Sequence, residues 1–101
     1  DTGLENPNDK EKLFARQAIK EFGQLILNYP NCVYVDHGLA SIGTAHEILN
    51  ELEDAIVVYN QLIARYTNSI PTDPNTKKFL NHAETRLEAI ETFLFQQKRF
   101  E

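Results

Sequence analysis

The sequence predicts an all-α protein: an antiparallel helix-pair array of about four helices ending in a long C-terminal capping helix. Three observations predict it. Ala18, Phe22, Gln24, Leu25, Ile26 and Tyr29 recur as Ala55, Tyr59, Gln61, Leu62, Ile63 and Tyr66, at a constant offset of 37 residues. A period in the range of about 20 to 50 residues marks units that bury their apolar faces against one another. Apolar residues throughout the chain follow spacings of 3 and 4, the signature of a helical stripe. Helix start and stop signals separate these stripes, and no stretch alternates as a strand would; Cys32-Val33-Tyr34-Val35 is too short to argue one.

Residues 1–6 are polar and read as a tail. Asn6-Pro7 reads as the first helix start, because asparagine caps a free first-turn N–H and proline has none to waste. Phe14, Ala18, Ile19, Phe22, Leu25, Ile26 and Tyr29 then form one stripe, and Pro30 ends it by lacking the next backbone donor. After a short connector, the second helix carries Leu39, Ile42, Gly43, Ala45, His46 and Leu49 on a broad side. Gly43 costs helix propensity of about 1 kcal/mol relative to alanine, so a closely approaching neighbour is expected there. Asn50 suits the left-handed residue that closes a helix.

The third helix begins near Glu51 and runs to about Tyr66, with Leu52, Ala55, Ile56, Tyr59, Leu62 and Ile63 facing inward. A loop follows by composition, and Asp73-Pro74 repeats the cap-then-proline start. The last helix carries Phe79, Leu80, Ala83, Leu87, Ile90 and Leu94 and runs to about Gln97 without an internal turn signal. Residues 7–101 therefore read as a single helical domain. The chain starts at Asp1 and contains no Met, so it reads as a piece cut or matured from something longer.

Composition narrows the function. The net charge is −5 and the ten Lys and Arg are scattered, so the sequence offers no basic patch for phosphates and no nucleic-acid partner is expected. No window holds the roughly 18 apolar residues that would cross a bilayer, so no direct membrane insertion is expected. One cysteine, Cys32, allows no internal disulfide. That leans towards a reducing compartment, but a periplasmic protein can also carry a lone thiol, and the compartment stays open.

Residues 36–69 resemble a tetratricopeptide repeat. The run from Ile42 to Ile56 is similar to that family's first helix, tight turn and second-helix entry, with Gly43 at the close crossing and Ala45, Ala55, Tyr59 and Leu62 at further packing positions. Asn50 stands where the family usually has a glycine, Thr67 where it has a proline and His46 where it has an aromatic. Residues 13–31 resemble the second helix of a preceding repeat, and residues 74–97 a capping helix. The wording from Ala18 to Pro30 most resembles the bacterial envelope subset, which includes outer-membrane assembly lipoproteins and a cell-division coordinator. The resemblance implies a non-catalytic module that binds a protein or peptide, in a setting that could be such an envelope assembly.

By the same resemblance, first helices line a concave surface. That places His37, Ala40, Thr44, Glu47 and Ile48 on a partner-binding face, extended by Lys77, Asn81 and Glu84 if the last helix acts as the next first helix. These positions would equally suit a solvated helix face. Phe93 and Phe95 flank the inward Leu94, with Phe100 beyond, so these three form an aromatic end suited to docking on more of the chain or to a homodimer. Ordinary packing within the chain is the alternative.

No catalytic, metal or cofactor site is expected. His46 and Glu47 are adjacent and point about 100° apart on a helix, and no His-x-x-x-His spacing exists. Cys32 has no electropositive neighbour in sequence to activate it. Glu51, Glu53 and Asp54 are accounted for by the positive end of the helix they begin.

Overall fold

The computed structural model describes residues 8–99, and its secondary structure is entirely helical. The four helices are α1 (Asp9–Asn28), α2 (Val35–Ile48), α3 (Leu52–Ala64) and α4 (Pro74–Arg99). Together they form the expected all-α array with a long last helix. The proposed tail, Asn6, Pro7 and Phe100 lie outside the described residues.

Each boundary has a local cause. Asn8, two residues beyond the expected cap, begins α1: its Oδ1 accepts the Glu11 N–H at 2.8 Å. Pro30 follows the α1 terminus, and a short turn through Cys32 leads into α2. Asn50 closes α2 with φ of 57°. The Asn50 N–H reaches the Glu47 carbonyl at 2.9 Å, and the Glu51 N–H reaches the His46 carbonyl at 2.8 Å, which is the Schellman closure. Pro74 opens α4 as the sequence predicts, and the Asp73 carbonyl accepts the Lys77 N–H at 3.0 Å.

Sequential helices run antiparallel. Asp36 at the start of α2 meets Arg65 and Tyr66 just past the end of α3. Tyr59 of α3 meets His82 of α4. Helices α2 and α4 lie side by side in parallel, with His37 against Phe79, Thr44 against His82 and Glu47 against Arg86 in the same order along both. Among the described residues α1 packs on α2 alone, whereas α2 also packs on α3 and α4, and α3 on α4. The core sits where α2, α3 and α4 meet: Val35, Leu39, Ala55, Tyr59, Leu62, Ala83 and Ile90 are buried there. Burial of a side chain the size of Leu62 contributes roughly 1.5–3 kcal/mol.

Two sequence expectations about packing change. The α1 stripe is only partly buried, through Ala18, Ile19, Phe22, Leu25 and Ile26, while Phe14 and Tyr29 at its ends are exposed, and the buried residue of α1 is Ala15, outside the stripe. Tyr29 and Tyr66, which the 37-residue repeat places in equivalent positions near helix C-termini, do both lie near helix ends, but they sit in different surroundings. Tyr66 bonds Asp36 while Tyr29 faces outward.

Candidate functional site

Helix α2 is the floor of a groove, and α1 and α4 are its walls. Because α1 touches α2 but not α4, the space between the two walls stays open. The groove has a volume of about 520 Å³. Ala40, Thr44 and Ile48 line its floor, Phe14 and Ala18 one wall, and Phe79 and His82 the other. At one end His37 stacks on Phe79, with ring centres 5.0 Å apart and planes 6° apart, and tilts against Phe22 at 5.4 Å. That trio links all three helices.

A polar network stands behind the floor. The Tyr59 hydroxyl donates to Glu47 Oε2 at 2.6 Å, and Arg86 Nη2 donates to Glu47 Oε1 at 2.5 Å. Thr44 Oγ1 lies 3.1 Å from the Ala40 carbonyl, 3.1 Å from His82 Nε2 and 3.3 Å from the Tyr59 hydroxyl. With Tyr59 donating to Glu47 and His82 donating to Thr44, the single Thr44 proton is shared between the Ala40 carbonyl and the Tyr59 oxygen. Burial, and then the Glu47 carboxylate, push the Tyr59 phenol well above the ordinary tyrosine range. The network holds α2, α3 and α4 at a fixed spacing, and so sets the distance from the floor to the α4 wall.

Of the residues read as a binding face, the groove brings together His37, Ala40, Thr44 and Ile48. Glu47 turns away from it and is engaged by Tyr59 and Arg86. Lys77, Asn81 and Glu84 are exposed on α4, but the groove wall is made by Lys78, Phe79 and His82. Helix α4 is thus rotated by about one residue from the face assigned by resemblance. The contribution of α1, through Phe14 and Ala18, was not foreseen either. Its sequence signal was Phe14 at the end of a stripe, beyond the reach of the next helix.

At the other end of the molecule Phe93 and Phe95 are 48% and 67% exposed, as side chains flanking the inward stripe should be. Near the α2–α3 turn, His46, Glu51 and Asp54 bring possible ligand atoms within 4.8 Å of one another. This grouping was missed because it joins two helices. Glu51 is already engaged by His46 Nδ1 at 2.9 Å and Arg16 Nη2 at 2.9 Å. Those two partners hold its carboxyl below the usual carboxylate range, with His46 the larger cause. The Arg16 cation beside it opposes a second positive charge.

Compared with known proteins, the chain matches no family model, no curated protein and no solved structure.

Proposed function

We propose that the chain is a non-catalytic helical-repeat module of tetratricopeptide type that binds a protein or peptide partner in the groove over α2. The observation that carries the reading is the groove itself: an opening of about 520 Å³ whose lining is mostly apolar, with a few polar groups set into it, His37, Ser41, Thr44 and His82 among them. Apolar side chains of a partner would fill the groove, and these polar groups would supply orientation. The internal repeat and the close Gly43–Tyr59 crossing support the repeat assignment.

A second reading rests on the exposed Phe93 and Phe95, which would associate with another copy or a larger assembly through the end of α4. One experiment separates the two. Peptides are selected by display on the purified chain, and the winners are titrated against Ile48→Asp and Phe95→Ser. The groove reading expects binding to fall at least about tenfold on Ile48→Asp and to persist on Phe95→Ser. The reverse pattern overturns it in favour of the aromatic end.

A further inference from the structure

The polar network behind the floor leaves one ring nitrogen over. The Tyr59 proton goes to Glu47, and the Ala40 carbonyl can only accept. The single Thr44 proton already serves the Ala40 carbonyl and the Tyr59 oxygen. The 3.1 Å contact between Thr44 Oγ1 and His82 Nε2 therefore takes its proton from the histidine. That fixes neutral His82 as the tautomer with a proton on Nε2 and a lone pair on Nδ1. The Tyr59 ring, at 79° to the imidazole with centres 5.8 Å apart, holds its orientation. Nδ1 has no hydrogen-bond partner among the described residues, and it is not sealed from solvent. His82 lines the groove. The other groove histidine differs: His37 is held between Phe79 and Phe22 by ring contacts, which suit either tautomer.

We infer that His82 sets the specificity of the groove: its Nδ1 is an acceptor that selects a hydrogen-bond donor carried on an apolar ring of the partner, as in the side chain of tryptophan. The inference rests on the groove reading above and names the anchor that the groove takes. A ring suits the walls, where Phe14 and Phe79 stand on opposite sides of the small floor residues Ala40 and Thr44. An apolar group that covers Nδ1 strips it of solvent and returns nothing, whereas an indole N–H replaces what solvent supplied. Tryptophan carries a donor and no acceptor on its ring, which matches a lone acceptor. Acid should remove the preference, because a second ring proton turns Nδ1 into a donor. Tyr59 of α3 packs against His82, with the mutually paired Glu47 of α2 and Arg86 of α4 beyond its hydroxyl. Glu11 of α1, His37 of α2 and Lys78 of α4 share the groove lining. Histidine is the side chain that changes charge between pH of about 5 and 8, so His37 is the competing source of a pH effect.

The test uses two rings of one shape on the full chain: indole, which has an N–H, and benzothiophene, which has none. Affinities are read from NMR shifts of the groove residues at about pH 7.5 and about pH 5.5. Indole is expected to bind about tenfold more tightly at the higher pH, and the two rings about equally at the lower. His82→Phe keeps a ring against Tyr59 without a nitrogen, and should bind both about equally at either pH. His82→Gln can donate to Thr44 and still accept, and should keep the preference at either pH. Equal affinities in wild type at the higher pH overturn the inference, as does a preference that survives His82→Phe. If the rings bind alike and both weaken on Ile48→Asp, the acceptor role falls and the groove reading stands. If neither ring depends on Ile48→Asp, the groove reading falls as well. Nitrogen-15 shifts give an outcome that needs no ligand: neutral His82 should carry its proton on Nε2, and a proton on Nδ1 overturns the assignment.

Discussion

Gly43 of α2 lies flat against the ring of Tyr59, so closely that a Cβ added there would overlap Cε1 and stand 2.6 Å from Cζ. The ring cannot swing aside, because it is fully buried and its hydroxyl is held by Glu47. Gly43→Ala is therefore expected to destabilise, although alanine is the better helix former. Overpacking costs about 1–3 kcal/mol, against a propensity gain of about 1 kcal/mol. Urea denaturation should show a lower midpoint with an unchanged m-value. A variant as stable as wild type would show that the helices separate at no cost.

Gly23 provides the opposite case. It lies in the interior of α1, and a Cβ there would meet no atom within 4 Å. Only propensity remains, so Gly23→Ala should stabilise by up to about 1 kcal/mol. A rise in thermal midpoint by circular dichroism checks it. A loss would mean that the α1 backbone is not helical at that point.

The two glycines also show what could be read in advance. A glycine in a strong helical stripe implies close approach, and the repeat named Tyr59 as a packing position, so the α2–α3 pair was legible. So was Asn50, since few residues but asparagine and glycine close a helix with positive φ. The face of α4 was not. Its stripe of Phe79, Ala83 and Ile90 was clear, but whether Lys77 or Lys78 faces α2 depends on how two helices cross, and periodicity does not record that. Glu47 was misplaced for the same reason. Its partner Arg86 lies 39 residues away, on a helix whose lateral position only packing decides.

Asp36 left no mark in the sequence, yet it ties the start of α2 to the end of α3. Its buried carboxylate accepts from Arg65 Nε at 2.7 Å and from the Tyr66 hydroxyl. Asp36→Ala removes both bonds, and hydrogen bonds to a charged group are worth about 1.5–3 kcal/mol. The Arg65 side chain is partly solvated, so most of the loss should come from the Tyr66 side. Tyr66→Phe should thus account for much of the effect, and the double variant should lose less than the two single losses combined. Strict additivity in denaturant midpoints would separate the two residues.

Glu51 makes the fold sensitive to acid. His46 and Arg16 lower its folded pKa below the ordinary value. A carboxyl lowered in the folded state contributes stability above the ordinary carboxylate range and loses it as pH falls through the lowered value. The chain should therefore weaken on acidification, and Glu51→Gln should flatten that part of the profile while costing stability at neutral pH. An acid limb identical in Glu51→Gln and wild type would assign the sensitivity to other groups.

Alkaline conditions probe the buried network. Tyr59 and Tyr66 both have phenols raised above the ordinary value, each chiefly by burial and then by a carboxylate neighbour, Glu47 and Asp36 respectively. Above pH of about 10 the unfolded chain releases these protons while the folded chain keeps them. The folded state then binds more protons, so stability falls as pH rises, by up to about 1.4 kcal/mol per pH unit for each tyrosine. Tyr59→Phe cannot ionise in either state and should make the alkaline limb shallower by about one proton. At neutral pH it should be less stable than wild type, because Glu47 then keeps only Arg86 as a partner. Unfolding free energies measured at pH 9, 10 and 11 for both proteins give the two slopes directly. Equal slopes would mean that Tyr59 ionises as readily in the folded chain as in the unfolded one, and that the seal around it is open to water.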